Sequence, residues 1–127
     1  MSLNKIIVVI PTYNNPKTIA NVAKDVIENG HELIIVDDGS SIKVSDLVEK
    51  HPNIRILRHE LNQGKGQAIL TGAKKAKELG YNYFISLDGD GQHLASQIEK
   101  IVSACDGEDQ IIIGARNFDI DNVFLHL

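Results

Sequence analysis

Two aspartates one residue apart, Asp88 and Asp90, follow an apolar run at residues 83–87. Like charges this close repel each other, so the pair is costly unless a cation or a proton lies between them. In an extended segment both carboxylates point to the same side, and Gly89 leaves room for a ligand to approach. With the amide oxygen of Gln92 they form an oxygen-rich set suited to Mg²⁺ or Mn²⁺. The alternative is an ordinary turn, in which Asp and Gly are common.

Other polar clusters follow the remaining apolar runs, which lie at residues 6–10, 33–36, 54–57 and 111–113. The clusters, including the one that contains the aspartates, are residues 11–14, 37–40, 59–66, 88–93 and 114–117. In an open α/β sheet, ligands bind at the carboxyl ends of the strands. The five coincidences predict one binding site along that edge.

Within these clusters, each residue also has a structural explanation. Asp38 can accept hydrogen bonds from a nucleobase or a ribose, or it can belong to a turn whose Ser40 or Ser41 caps the next helix. Tyr13 can stack on a base or simply pack. Arg116 can pair with a phosphate or with a surface carboxylate.

Lys65 lies between two glycines at the predicted start of a helix, where backbone N–H groups and an ammonium can meet a phosphate. The segment is neither a G-x-G-x-x-G fingerprint nor a Walker loop, so by itself it is a weak signal. His93 can ligate a metal or precede a helix as a cap. Cys105 lies on a helical apolar stripe and is expected in the core.

The elements that carry these residues alternate between strands and helices. Unbroken apolar runs rich in Ile and Val are typical of strands covered on both faces. Helices are predicted around residues 19–27, with Asn15 as N-cap, Pro16 first and Gly30 after the end, and around residues 69–79, closed by Gly80. A further helix is predicted around residues 94–105 and a shorter one at 45–51. We therefore expect a single α/β domain over residues 1–127, with an open, mainly parallel sheet flanked by helices.

The composition narrows the class of protein. Of 127 residues, 13 are Lys or Arg and 17 are Asp or Glu, and the net charge of −4 argues against a nucleic-acid binder. One cysteine cannot form an internal disulfide, and the longest apolar run is too short for a membrane span. These features predict a soluble cytosolic domain. Because residues 124–127 read as the beginning of an element rather than as a terminus, we expect a truncated chain, and the apolar surface left exposed by the missing half should favour self-association.

Together these segments resemble family 2 glycosyltransferases, inverting enzymes with the GT-A fold. The segments occur in the family's order and are VIPTYN (9–14), IVDDGS (35–40), NQGKG (62–66), DGDGQH (88–93) and GAR (114–116). The resemblance spans residues 5–117, and the segment after Leu87 looks closest to the dolichyl- and polyprenyl-phosphate mannosyl- or glucosyltransferases. It implies a UDP- or GDP-sugar donor, a divalent metal and, as acceptor, a saccharide or a polyprenyl phosphate at the inner face of the membrane.

The resemblance also implies roles for single residues. The nucleotide-sugar would contact Pro11, Thr12, Tyr13, Asp38, Lys65, Asp88, Gly89 and Arg116, while Asp88, Asp90 and Gln92 would hold the metal. Asn14 stands where many relatives have an acidic residue, and no role is transferred to it. Family members are considerably longer, and their second half supplies the acceptor groove and the catalytic base. We therefore expect this chain to bind the donor and to turn over little by itself.

Three alternatives remain at this point. A haloacid dehalogenase-like phosphatase would use Asp88 as nucleophile, but a Thr is expected near Gln92, and its loop normally follows the first strand. A nucleotidyltransferase usually has a long Gly-rich loop after the first strand, and residues 11–15 contain no glycine. The third alternative is a non-catalytic nucleotide-binding module.

Overall fold

The computed structural model describes residues 6–81, 83–87, 110–113 and 124–126. They form a six-stranded sheet in the order β3-β2-β1-β4-β5-β6. The strands are β1 (Ile6–Thr12), β2 (Glu32–Asp37), β3 (Ile54–Arg58), β4 (Tyr83–Ser86), β5 (Gln110–Ile113) and β6 (Phe124–His126). All neighbouring pairs are parallel except β5 and β6, which are antiparallel. This confirms the predicted α/β class and the mainly parallel sheet.

Helices cover both faces of the sheet, which explains why strands β1 and β2 carry unbroken apolar runs at residues 6–10 and 33–36. Successive residues of a strand point to opposite faces. In β1, Val8 and Ile10 pack with helix α1 (Ile19–Glu28), while Ile7 and Val9 pack with helix α2 (Lys65–Glu78). Burying both faces removes the alternation of polar and apolar residues that a one-sided sheet would show.

Helix α1 begins later than the sequence predicted. Its N-cap is Thr18, and Asn15 instead accepts the backbone N–H groups of Thr18 and Ile19 at its carbonyl, in a turn before the helix. The Asn15 amide is also turned toward β1, where it donates to the Thr12 hydroxyl at 2.8 Å. The prediction of Asn15 as N-cap and Pro16 as first helical residue was therefore wrong, because a partner on β1 uses the side chain that would have capped the helix.

Helix α2 agrees with the sequence pattern and lies very close to β1. A Cβ on Gly72 would overlap Cγ1 of Val9, so only glycine lets the helix approach the strand this far. Gly80 has a positive φ of 90° after the end of the helix, and its N–H returns to the Lys77 carbonyl. The predicted glycine stop is confirmed.

The prediction of a shorter helix at residues 45–51 was wrong in its extent. Only a single 3-10 turn forms there, at Val44–Asp46. Its N-cap is Lys43, so neither Ser40 nor Ser41 caps it. The predicted helix around residues 94–105, with Cys105, lies outside the described residues. Among the described residues no helix is long and apolar enough to span a membrane.

Candidate functional site

The order of the strands creates a crevice at one edge of the sheet. From β1 the chain moves outward through β2 to β3, then returns to place β4 on the other side of β1. The strand that follows β1 therefore lies on one side of the β1–β4 pair, and the strand that follows β4 lies on the other. In open α/β sheets, ligands bind at this point, outside the carboxyl ends of the strands. The segment that contains Asp88 and Asp90 follows β4 directly in the chain.

Backbone hydrogen bonds fix the strands up to this edge. The Asp38 N–H donates to the Thr12 carbonyl at 2.9 Å, and the His59 N–H donates to the Asp37 carbonyl at 2.9 Å. On the other side of β1, the N–H of buried Leu87 donates to the Val9 carbonyl at 3.1 Å. The loops after β1, β2 and β3 and the start of the segment after β4 are therefore held in register with one another.

Asp37 fixes the loop that follows β2. Its carboxylate is 1% exposed and accepts hydrogen bonds from the Ser40 N–H at 2.9 Å and the Val44 N–H at 3.0 Å. The Arg58 guanidinium donates to the same carboxylate at 2.7 Å. Burial raises the pKa of Asp37, but these hydrogen bonds outweigh it and hold the pKa below its usual value. Asp37 is thus an ionised group whose partners are structural.

Asp38 fixes a different loop, the one between β3 and α2. One carboxylate oxygen accepts from His59 Nδ1 at 2.7 Å and from the Gln63 N–H at 2.9 Å. The other accepts from the Asn62 amide at 3.0 Å and from the Gly64 N–H at 2.8 Å. Burial raises the pKa of Asp38, yet these hydrogen bonds and the nearby His59 together lower it below its usual value. Both oxygens are saturated, so a nucleobase donor must replace one of these partners or bind elsewhere.

The loop that follows β1 is tied to the loop that follows β2 through Asn14. Its backbone has a positive φ of 56°, its N–H donates to the Ser40 hydroxyl at 2.9 Å, and its side-chain oxygen accepts the Ser41 N–H at 2.8 Å. An oxygen is all that the contact with Ser41 requires. A carboxylate at this position could therefore make the same bond. Asn14 links the two loops, and this is the role that the sequence alone did not supply.

The remaining predicted nucleotide contacts surround these loops. Pro11 and Thr12 are buried at the end of β1, and Tyr13 is 51% exposed directly after them. Lys65 is the first residue of α2, next to Gly64 with its positive φ of 100°. The structure therefore places these residues at the same edge as Asp38. Their contact with a nucleotide-sugar stays a prediction.

The predicted metal ligands, Asp88, Asp90 and Gln92, lie outside the described residues. So do Gly89, Arg116 and His93, the other predicted or considered site residues after β4. Within the part of the chain that the structure describes, no three His, Cys, Asp or Glu side chains form a group that could hold a metal ion. The metal site is thus a prediction that rests on the chemistry of the residues after β4.

Sequence reasoning placed His59 and Asn62 in the polar cluster after β3 without giving either a role, and it missed Thr71, the third further member of the network around Asp38. His59, Asn62 and Thr71 bond directly or through each other to that carboxylate. His59 follows the last residue of an edge strand, and Thr71 is a polar residue one position before Gly72 on the close-packed face of α2. Neither position is distinctive in a single sequence, because the residues that bond are far apart in the chain: His59 is 21 residues from Asp38 and 12 residues from Thr71.

Fold and edge together define an open α/β protein with a topological switch point between β1 and β4. Residues 7–125 match the family model described as glycosyl transferase family 2, and the chain belongs to that family. The family resemblance noted in the sequence is confirmed, and the match favours the transferase over the phosphatase and nucleotidyltransferase alternatives. No solved structure matches the chain significantly.

Several curated relatives have names that specify an activity, and three of them illustrate the similarity. The UDP-N-acetylglucosamine–dolichyl-phosphate N-acetylglucosaminyltransferase of Methanococcus voltae is 32% identical over 87% of the chain and 51% of its own length. The undecaprenyl-phosphate mannosyltransferase of Micrococcus luteus is 28% identical over 88% of the chain and 48% of its own length. The dolichol-phosphate mannosyltransferase of Pyrococcus furiosus is 30% identical over 88% of the chain and 33% of its own length. The chain thus spans about half the length of the first two relatives and a third of the last.

Proposed function

We propose that the protein containing this chain is an inverting glycosyltransferase that transfers a sugar from a UDP- or GDP-sugar to a polyprenyl-type lipid phosphate. This chain supplies the donor site. Family membership supports the class of reaction, and the names of the three relatives support a lipid phosphate as acceptor. The UDP-sugar in the name of the M. voltae protein supports a nucleotide-sugar donor.

The observation that carries the proposal is the position of β1 between β2 and β4. Tyr13, which is 51% exposed, directly follows β1, and the neighbouring strand β4 leads into Asp88 and Asp90. A nucleoside at Tyr13 and a diphosphate at the two aspartates would then occupy neighbouring loops. Tyr13 offers a surface on which a base can stack.

The carboxylate oxygens of Asp88 and Asp90 and the amide oxygen of Gln92 are the ligand types that Mg²⁺ and Mn²⁺ prefer. These residues would hold the ion, which when bound would neutralise charge on the departing nucleoside diphosphate. Inversion also needs a base for an acceptor hydroxyl, or an acceptor that is already anionic. A lipid phosphate is anionic, so this acceptor makes no demand for a side-chain base within the chain.

Calorimetric titration tests the donor site. UDP- and GDP-sugars are titrated with Mn²⁺ and with EDTA into the wild type, Asp90→Ala and Asp46→Ala. Asp46 is an exposed acidic residue on the 3-10 turn, so its loss changes the net charge equally without touching the crevice. We expect metal-dependent binding of one nucleotide, weakened at least about tenfold by Asp90→Ala and unchanged by Asp46→Ala.

The absence of binding in a sample that melts cooperatively by circular dichroism would contradict the proposed donor site. The acceptor is tested separately with the full-length protein, by comparing sugar transfer to undecaprenyl phosphate and to the uncharged polyprenol. Transfer to the phosphate alone is the expected result. Transfer to neither lipid but to a free saccharide would contradict the lipid-phosphate acceptor and leave the donor site intact.

A further inference from the structure

We propose that His59 is a partly buried imidazolium whose charge neutralises Asp38 and whose two ring N–H groups attach the loop at residues 59–64 to Asp38 and to Thr71 on α2. It would act as a positioning residue for the donor site. This role rests on the proposed function, whereas the charge state of the ring does not. Three contacts of the ring and its neighbours carry the inference.

The first contact concerns Nδ1 of His59, which lies 2.7 Å from a carboxylate oxygen of Asp38. An ionised carboxylate has no proton to donate, so Nδ1 must carry the hydrogen. Asp38 also accepts backbone N–H groups from Gln63 and Gly64, which favours its ionised form. Nδ1 of His59 is therefore protonated.

The second and third contacts concern the Thr71 hydroxyl, which has a single proton. It lies 3.0 Å from the Gln67 carbonyl, an oxygen that can only accept, and 2.8 Å from Nε2 of His59. When the proton is directed to Gln67, as is common for Thr in a helix, Thr71 must accept at its other contact. Nε2 then also carries a hydrogen, and the ring is cationic. If the proton were directed to Nε2, the two oxygens would face each other at 3.0 Å with no proton between them.

Burial makes the protonation state consequential. The side chains of His59 and Asp38 are 10% and 4% exposed, so little water screens the pair. A neutral ring would leave a full negative charge at the edge where an anionic diphosphate has to bind. An imidazolium cancels that charge and makes the His59–Asp38 hydrogen bond charge-assisted. It thereby holds in place the carboxylate that accepts the Gln63 and Gly64 N–H groups, directly before Lys65 begins α2.

The charge state is measured from the imidazole ¹⁵N resonances of the protein near pH 7.5, with the His59 signals assigned by their loss in His59→Gln. We expect both ring nitrogens of His59 to be protonated. His51 is an internal control, because its Nδ1 accepts the Asn53 N–H and must be unprotonated. An unprotonated nitrogen in the His59 ring would overturn the proposal.

A second variant tests the charge without removing the ring. Thr71→Val takes away the acceptor for Nε2–H, and the desolvated proton should then be lost, which leaves a neutral ring bonded to Asp38 through Nδ1. Thr71→Ser keeps the hydroxyl and should keep the imidazolium. Equal ring spectra in the Val and Ser variants would overturn the assigned role of Thr71.

Positioning is measured by amide hydrogen exchange in His59→Gln. We expect exchange at Gln63 and Gly64 to accelerate about tenfold or more, while the Leu33 amide, bonded within the core to Asn53, changes much less. Equal acceleration at all three amides would indicate global destabilisation and overturn the positioning role. Nucleotide-sugar binding should weaken by about tenfold, and unchanged affinity would overturn the link to the donor site. If the wild type binds no nucleotide-sugar, the proposed function fails, while the ring spectrum and the amide exchange still decide the charge and the loop attachment.

Discussion

The carboxylates of Asp37 and Asp38 are adjacent in the chain, yet each holds a different loop of the candidate site. Asp37 bonds to Ser40, Val44 and Arg58, while Asp38 bonds to residues of the loop after β3. Adjacent residues of an extended segment point to opposite sides, which is why one short acidic segment can organise both loops. The two carboxylates therefore support the crevice from within the protein, whatever ligand binds above them.

We predict that Asp38→Asn lowers the free energy of unfolding by about 3 kcal/mol, because one charged acceptor with four donors is replaced by a neutral amide with one acceptor oxygen. Urea denaturation measures the change. Asp46→Asn is the matched control, since Asp46 is exposed, and should shift stability by less than about 0.5 kcal/mol. Equal effects of the two substitutions would contradict the role of the Asp38 network.

Stability should fall in acid through the same two carboxylates. The pKa values of Asp37 and Asp38 are lower in the folded protein than the ordinary value of 3.8. The unfolded chain then binds protons first, so the stabilisation is complete above about pH 5 and is lost progressively as the pH falls through the unfolded and then the folded pKa values. Urea denaturation at a series of pH values from 6 down to about 3 measures it. Asp38→Asn should flatten the dependence of the unfolding free energy on pH. An unchanged slope in this variant would contradict the contribution of Asp38 to acid sensitivity.

Gly72→Ala should destabilise the protein by about 1–3 kcal/mol, because the added Cβ overlaps Val9 and α2 must move away from β1. Gly66→Ala provides the control in the same helix, since a Cβ there meets nothing within 4 Å. That substitution should be neutral or stabilising by about 0.5–1 kcal/mol. Thermal denaturation of the pair gives the comparison, and a Gly72→Ala protein as stable as Gly66→Ala would show that α2 is not tightly packed.

Gly39→Ala separates backbone strain from a steric clash. Gly39 and Gly30 both have a φ of 84°, so alanine costs about 1–2 kcal/mol of strain at either position. At Gly39 the new Cβ would also lie 2.8 Å from the backbone nitrogen of Asn62, whereas at Gly30 it meets nothing within 4 Å. We expect Gly39→Ala to be the more destabilising of the two and to displace the loop held by Asp38.

That displacement is visible as faster amide hydrogen exchange at Gln63 and Gly64 in Gly39→Ala, with no such change in Gly30→Ala. Equal unfolding free energies for the two alanine variants would show that the loop at residues 59–64 yields without cost. It would then be a poor platform for Lys65 at the start of α2.

The sequence alone determined the class of fold and predicted the sheet edge at which the candidate site lies. Apolar runs and helical stripes are local patterns with fixed periods, so the strands and both long described helices could be located from neighbouring residues. The glycine at the end of each helix was predictable for the same reason, as Gly30 and Gly80 show with their positive φ values. Family membership, too, was visible in the order of five short segments.

Only the tertiary structure decided what the polar residues contact. Asp38 reaches partners 21 to 26 residues away, and Asn14 reaches Ser40 across 26 residues, because parallel strands bring distant loops together. The same effect overrode the local capping signal of Asn15, whose amide found Thr12 on β1 instead. No local pattern encodes such contacts, since they depend on the order of strands in the sheet. The sequence could therefore predict the edge of the candidate site, while the arrangement of strands decided that Asp37, Asp38 and His59 hold the loops there.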